Sequence, residues 1–383
     1  MKKVAFCISS FRAGGGEKQV IEIANAFASR GYEVHLLVLK PVGQYENQVG
    51  RGVRVISLDA GRIVFSLPKL VAYLRREQPE ALLALDEYTH LMSLMARMVS
   101  RARTRIILRE GNMLTELFKR YASIKDRLLI PFLVRRLYKK ADIIVANSKG
   151  VADDVAAVSG IKKEKVVVIY NPKDLALIRE LAKSEVDHPW LTDKKLPIVI
   201  AVGRLRIQKN FPLLIRAFAR ATEKIPARLI VVGGGREERR LRELVASIGA
   251  EYKIALVGYS DNPYAWMEKA DFYVAASLWE GLPNSLLEAM ASGLPVIASD
   301  CSSGPREVLA PDTDYRFRLE KGIECAKYGI LTAVGDEEAL SSAITLLLKD
   351  ERLRETYRNS SLERITAFDR AGRIDEYERA LGF

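Results

Sequence analysis

The sequence predicts an α/β protein made of two doubly wound units in succession. Three observations carry that reading. Short runs rich in Val, Ile and Leu alternate with amphipathic stretches of helical period, the order that gives a parallel sheet covered on both faces. The alternation breaks near Asn171-Pro172 and restarts at Pro197. Most glycine-rich or polar turns follow a strand directly, at the end where open sheets of this kind bind ligands.

The elements follow in order. KVAFCISS is a strand. The N-terminus has the charged start and apolar run of an export signal, but the run is one strand long and a glycine turn follows. It is therefore a first strand, in a chain expected to stay in the cytoplasm. Residues 14–30, GGGEKQVIEIANAFASR, are a glycine turn and an amphipathic helix, and Gly31 suits its C-terminal cap. YEVHLLVL, VRVISL, ALLAL, RIILR, DIIVANS and KVVVIY are further strands. NPKDLALIRELAKSEVDHPWLTDKKLP is polar and carries Pro172, Pro189 and Pro197, as an interdomain connection would. The first domain is thus expected over 1–175 and the second over 196–365. PIVIAVG, ARLIVVGGG, KIALVGY, DFYVAAS and PVIAS are the strands of the second domain, with helices between them. The segment from Ala310 to Leu340 departs from the alternation and is expected to form a loop and short strands.

Composition bounds the function. Of 383 residues, 49% are apolar and 28% charged, which is ample for two cores. No apolar run is long enough for a transmembrane helix. Cys7, Cys301 and Cys325, with His35, His90 and His188, have no metal-ligand spacing. Free thiols are expected, and neither a zinc site nor a Cys/His hydrolase. The net charge of +12 points to an anionic partner or simply to solubility. Nucleic acid is not that partner, because no RRM, KH or zinc-finger signature is present. GGGEKQ is not GxGxxG and no GxxxxGK[ST] occurs, which excludes a P-loop.

The groups able to do chemistry gather after strands. Gly14-Gly15-Gly16, Gly203-Arg204, Gly233-Gly234-Gly235, Gly258, Glu280, and Gly304 with Glu307 all sit there. Glycine lets main-chain N–H groups approach a ligand, and a helix N-terminus behind it favours a phosphate. In GRLRIQKN, Arg204 and Lys209 stand at the head of a helix begun by Asn210 and Pro212. An arginine that clamps two oxygens beside a lysine point charge suits a diphosphate. In LWEGLPNSLLEAMASGLPVIAS, Pro283 fits a first helical position. Glu280 then lies on the loop and Glu288 about one turn into an apolar helix, where an unpaired buried carboxylate is costly. Two such carboxylates can hold sugar hydroxyls, or act as the acid and base of a glycoside hydrolase.

EGLPNSLLEAMASGLPVIA, with GRLRIQKN about 75 residues earlier, resembles the retaining glycosyltransferases of family 4, which have the GT-B fold. GGGEKQ resembles that family's GGxE turn, and VIYNP the end of its first domain. VVGGG, VGYSDNP and SSGPREVL fall in the family's order, so the likeness covers nearly the whole chain. It implies two Rossmann-like domains facing a cleft, with residues 366–383 as a helix crossing back onto the first.

The resemblance also implies roles. Arg204 and Lys209 would hold the donor diphosphate and stabilise the leaving group, Glu288 the ribose hydroxyls, and Glu280 the donor sugar. Gly203 belongs to the same turn. Gly281, Leu282, Pro283, Asn284, Ser285 and Leu286 would reach the sugar and phosphates at the helix N-terminus. Gly258 and Tyr259 would lie at the base, and Gly15 and Gly16 would close over the donor. Glu288 would then be tolerated because a ligand supplies its partners. No cofactor and no metal are implied, since the cations take the metal's place. The donor would be a nucleotide sugar, with UDP the commoner case over GDP.

Many relatives place a histidine of the first domain near the reacting sugar. Here LLALDEYTHL offers Asp86, with Glu87 and His90 beyond it, and REGN offers Arg109, Glu110 and Asn112. Asp86, Arg109, Glu110 and Asn112 are therefore the acceptor-side candidates. Residues 117–140 interleave basic side chains with Leu, Ile, Phe and Tyr around a single Asp126, and Pro131 is expected to break them into two pieces. Such a stretch suits an anionic membrane surface or a lipid pyrophosphate. The expected acceptor is a polyprenyl-diphosphate-linked or envelope glycan, reached from the cytoplasmic membrane face. A small soluble sugar or sugar phosphate is the alternative.

Overall fold

The computed structural model describes residues 2–12, 14–58, 63–121 and 123–383, residues 63 and 64 by their backbone alone. The chain divides into two compact units, Met1–Pro172 with Ala371–Phe383, and Lys173–Arg370.

The first unit is a seven-stranded parallel sheet in the order β3-β2-β1-β4-β5-β6-β7. Its strands are β1 Lys3–Ser10, β2 Glu33–Lys40, β3 Val53–Ser57, β4 Ala81–Ala84, β5 Arg105–Glu110, β6 Ile143–Ala146 and β7 Val166–Val168. The unbroken apolar runs have a simple cause. Side chains alternate between faces along a strand, and both faces here are covered. Ala5 and Cys7 enter one core with Leu82, Leu108 and Tyr138. Val4, Phe6 and Ile8 enter the other, with Phe27 of the helix Gly15–Ser29. That second core also takes Ile374, Tyr377 and Leu381, so the closing helix Arg370–Leu381 packs on the first unit's sheet.

The second unit repeats the plan in the order β10-β9-β8-β11-β12-β14-β13. Its strands are β8 Ile198–Val202, β9 Arg228–Val232, β10 Ile254–Gly258, β11 Phe272–Ala275, β12 Val296–Ser299, β13 Ile323–Ala326 and β14 Gly329–Thr332. β13 pairs antiparallel with β14, as a hairpin closing one edge. This accounts for the lapse in alternation after Ala310.

Two local expectations are corrected. The stretch after Asn171-Pro172 is not a bare connection. It forms the helices Leu175–Ala182 and Pro189–Thr192 within the second unit. Asp174 caps the first by accepting from the Leu177 N–H at 3.0 Å, and Ile178 and Ala182 are buried at helical spacing. Pro131 does not split the basic stretch either, but lies inside one helix, Ile124–Leu137. It removes one main-chain bond there without ending the helix. No helix of the described residues is long and apolar enough to cross a membrane.

Candidate active site

In the second unit the strand order reverses between β8 and β11: β9 and β10 lie on one side, β12 and β14 on the other. Turns leaving the carboxyl ends at such a reversal splay apart and leave a crevice. The turn after β8 carries Gly203, Arg204 and Lys209, and the turn after β11 carries Glu280 to Pro283. The two are tied together. The Leu278 N–H donates to the Gln208 carbonyl at 2.8 Å, and Gln208 Nε2 donates to the Trp279 carbonyl at 2.9 Å.

Glu280 is held by three donors. Lys209 Nζ pairs with its Oε1 at 2.5 Å, Ser277 Oγ donates to the same oxygen at 2.8 Å, and Gln208 Nε2 to Oε2 at 3.3 Å. Buried at 7% exposure, it is a compensated carboxylate rather than an isolated charge. Arg204 differs: it is exposed, and among the described residues none pairs with its side chain.

Glycines make this packing possible. A Cβ on Gly233 would lie 1.9 Å from the Gly203 carbonyl oxygen, and one on Gly235 2.3 Å from that of Leu205. The turn after β9 therefore lies directly against the turn after β8. Gly304 has φ +90°, and a Cβ there would sit 2.5 Å from the Gly281 carbonyl oxygen. Ser303 Oγ donates to that same oxygen at 2.9 Å, fixing the Gly281-Leu282 turn. Gly258 ends β10, and Tyr259 beyond it is about half exposed.

Pro283 stands as the N-cap of the helix Asn284–Ala291, one position earlier than its sequence placement. Ser285 Oγ and the Tyr273 hydroxyl are 2.8 Å apart, and Leu286 is fully buried. Asn284 Oδ1 accepts from Lys173 Nζ at 2.9 Å, and the same ammonium is 3.4 Å from Glu288 Oε1. The Tyr264 hydroxyl is 3.5 Å from that oxygen. Glu288 is buried, and its partners come from the protein itself. The expectation that a ligand alone compensates it is corrected on this point.

In the first unit the order reverses between β1 and β4. Gly15 and Gly16 begin the helix after β1, where a Cβ on Gly16 would crowd Leu85 at 3.2 Å. Asp86 follows β4 and caps the helix Glu87–Ser100, while Ser9 Oγ donates to its Oδ2 at 2.6 Å. Glu110 ends β5 and is buried. Its Oε1 accepts from the Tyr138 hydroxyl at 2.7 Å and lies 3.2 Å from His90 Nδ1. Burial opposes charge on His90, but Glu110 more than offsets it, so the imidazole titrates above its ordinary range. Glu87 accepts from the Tyr121 hydroxyl at 3.1 Å. Burial, with Asp86 and Glu110 nearby, pushes its carboxyl up to about 7.

The remaining acceptor-side candidates part company. Arg109 is buried, its Nε donating to the Tyr377 hydroxyl at 3.0 Å and its Nη2 to Asn171 Oδ1 at 2.6 Å. Its contacts are those of an anchor for the closing helix. Asn112 is exposed on the loop after β5. Among the described residues, one cluster brings metal-type donors within 4.8 Å of each other: Glu33, His35 and Glu77. It lies at the amino ends of β1 and β2, and Lys3 already pairs with both carboxylates, at 3.1 and 2.9 Å.

Sequence reasoning missed Lys173, Gln208 and Ser277. Gln208 stands beside Lys209 and so was within reach of a spacing argument. Lys173 gave no signal, because its partners are more than a hundred positions away.

Comparison with known proteins adds to this geometry. The family described as "Glycosyl transferases group 1" matches residues 183–364, and "Glycosyltransferase Family 4" matches residues 13–177. A Methanocaldococcus jannaschii protein described as an uncharacterized glycosyltransferase is 31% identical over 277 residues, covering 67% of this chain and 68% of its own. A Campylobacter jejuni enzyme is 29% identical over 381 residues, covering 97% of this chain and 96% of its own. Its name gives its activity as N-acetylgalactosamine-N,N'-diacetylbacillosaminyl-diphospho-undecaprenol 4-alpha-N-acetylgalactosaminyltransferase. Among solved structures, the Anabaena protein HepE in complex with UDP-glucose superposes with a TM-score of 0.79 at 20% identity, covering 100% of this chain and 99% of its own. That likeness speaks to the fold, which is GT-B.

Proposed function

Since the chain belongs to glycosyltransferase family 4, we propose that it is a retaining enzyme acting on a lipid-linked or envelope glycan. It would move a hexose or N-acetylhexosamine from a nucleotide diphosphate sugar, a UDP-sugar in this reading, to an acceptor hydroxyl. The observation that carries this reading is the Lys209–Glu280 pair, which joins the two turns at the β8/β11 reversal. Arg204 stands exposed on the same turn.

The chemistry follows from these groups. Arg204 and Lys209 take the diphosphate, Arg204 by two N–H donors and Lys209 as a point charge. The bond from the anomeric carbon to the diphosphate oxygen breaks, and the cations stabilise the charge that develops there. The acceptor oxygen attacks from the face the diphosphate leaves, giving retention, and its proton passes to the departing phosphate. Glu288 binds the ribose hydroxyls, and Glu280, once engaged by sugar, those of the hexose. Gly203, Gly258 and Tyr259 border the nucleotide. Gly281, Leu282, Pro283 and the first amides of the helix, at Asn284, Ser285 and Leu286, face the phosphates and sugar. In this reading the two cations do the work for which other enzymes use a metal. Gly15 and Gly16 are donor-side groups of the first unit. Asp86 and Glu110, with Arg109 and Asn112 near them, remain its acceptor-side candidates.

The acceptor class follows the Campylobacter relative and the helix Ile124–Leu137. Ile124, Leu128 and Phe132 are 75%, 71% and 54% exposed. At a spacing of four they form one stripe, with Lys125, Arg127, Arg135 and Arg136 around it. An exposed apolar stripe bordered by basic residues suits an anionic membrane surface. We therefore propose that the enzyme works peripherally, at the cytoplasmic membrane face.

The test is a thermal-shift screen with UDP, GDP, ADP and a panel of nucleotide sugars, on wild type and Glu288→Ala. One nucleotide should raise the melting point of wild type and not of the variant. No shift with any nucleotide would sink the reading in favour of a hydrolase. For the membrane, Leu128→Glu with Phe132→Glu should abolish sedimentation with anionic liposomes at low salt. If wild type itself does not bind them, the soluble-acceptor alternative stands.

A further inference from the structure

The chain passes between the two units twice, at Pro172–Lys173 and at Arg370–Ala371. On the second unit's side these crossings are joined through Lys173. Its N–H donates to the Phe368 carbonyl at 2.8 Å, and its carbonyl accepts from the Arg370 N–H at 2.9 Å. The two bonds make a parallel bridge to Asp369. One residue on, Asp174 pairs with Arg370 at 2.6 Å. Within the second unit the two chain ends are thus hydrogen-bonded to each other as a short two-stranded strap.

The Lys173 side chain leads elsewhere. It is 3% exposed, and its ammonium reaches Asn284 Oδ1 at 2.9 Å and Glu288 Oε1 at 3.4 Å. Those acceptors are the first residue and the second turn of the helix that follows the Glu280 loop. An ammonium so deeply buried is strongly disfavoured unless it keeps its partners. Lys173 is therefore committed at both ends, to the strap by its main chain and to this helix by its side chain.

We propose that Lys173 is a positioning residue of the donor site, holding Asn284 and Glu288 from the strap, so that donor occupancy and order of the strap are coupled. This rests on the donor-site reading of Glu288. Whatever binds at Glu288 changes the field at the Lys173 ammonium, and the strap bonds respond. By linkage the reverse holds, and loosening the strap weakens the donor site by the same factor. Lys173 touches neither the sugar nor the diphosphate in this account. It fixes where Glu288 and Asn284 stand.

The experiment uses the full chain, with UDP as probe. Amide hydrogen exchange at Lys173 and Arg370 is followed with and without saturating UDP, with the amides of the β13–β14 hairpin as the internal reference. In wild type, UDP should slow both strap amides by about tenfold more than the reference, the usual size of a coupling between sites. Lys173→Met should weaken UDP binding by about tenfold or more, and UDP should no longer protect Arg370. It should raise the donor KM more than it lowers kcat. Lys173→Arg, which keeps the charge, should recover part of the affinity. Strap amides in wild type that move only with the reference would overturn the proposal, and that result needs no variant to fold. So would a folded Lys173→Met protein that binds UDP within twofold of wild type. Wild type that binds neither UDP nor any other nucleotide would fail at an earlier point, taking down the donor-site reading itself and this inference with it.

Discussion

Replacing Glu87 by Gln should make the first unit more stable at pH 8 and leave it almost unchanged at pH 5. The carboxyl lies beside Asp86 and Glu110, and burial with their negative field raises it from an ordinary 4.5 to about 7. The sign follows from linkage. The unfolded chain releases this proton near 4.5, and the folded chain holds it to about 7. Glu87 therefore contributes its full stability below the lower value, and that contribution is lost as pH rises through the upper one. The gap corresponds to at most about 3 kcal/mol, and less because the side chain is partly exposed. For a unit of this size that is a shift of several degrees, at about 2–4 °C per kcal/mol. Burial opposes charge on His90, and Glu110 with Asp86 more than offsets it, so the imidazole too is raised above its ordinary range. It is common to both proteins and drops out of the difference. The assay is the melting temperature of each protein from pH 5 to pH 8, by calorimetry with the two transitions resolved. Parallel curves would refute the argument, since Glu87 would then titrate at its ordinary pH. If the curves diverge as expected, Glu87 is a carboxyl able to give or take a proton near neutrality, at the end of the first sheet where the acceptor is proposed to bind.

Other substitutions separate catalysis from architecture. Arg204→Met should leave the melting temperature within about a degree, because surface changes away from packed contacts cost little, yet reduce kcat by about 10²–10³-fold. Lys209→Met should cost kcat similarly and stability as well, since Glu280 is left buried beside only Ser277 and Gln208; calorimetry and initial rates at saturating donor tell the two variants apart. Gly304→Ala should destabilise the second unit by about 1–3 kcal/mol and raise the donor KM, because the new Cβ meets the Gly281 carbonyl at a backbone φ that alanine resists. Arg109→Met should lose its bonds to Tyr377 and Asn171, cost about 2 kcal/mol or more, and speed proteolysis near the C-terminus. A fall in kcat with unchanged proteolysis would instead favour the acceptor-side role.

The fold was legible because its signals are local. Both sheets are buried on both faces, so strands such as KVAFCISS and ARLIVVGGG stand out as unbroken apolar runs, each bounded by a turn. The exceptions are instructive. LALIRELA sits among prolines and charges, and its apolar spacing is easily taken for a linker, although Asp174 caps it as a helix. Pro131 has the look of a stop signal, yet a helix with other packing to hold it tolerates the loss of one bond.

The candidate site was legible to the extent that its groups share a turn. Glu280 and Glu288 are eight positions apart, and Arg204 and Lys209 five, so one loop and one helix start order each pair. What places the first pair against the second is the reversal of strand order between β8 and β11, which no local pattern encodes. The charges most deeply buried depend on contacts more distant still. Lys173 finds Asn284 across 111 residues, and Arg109 finds Tyr377 across 268. In the sequence each was a cation next to a strand end or a proline, and its residue type did not say whether it faced a ligand or the protein. Burial decides that. A cation satisfied inside the protein sets geometry, while one left exposed at a strand-order reversal is available to bind. By that criterion Lys173 and Arg109 have the contacts of the frame, while in the proposed reading Lys209 stands at the border between frame and ligand and Arg204 faces the ligand.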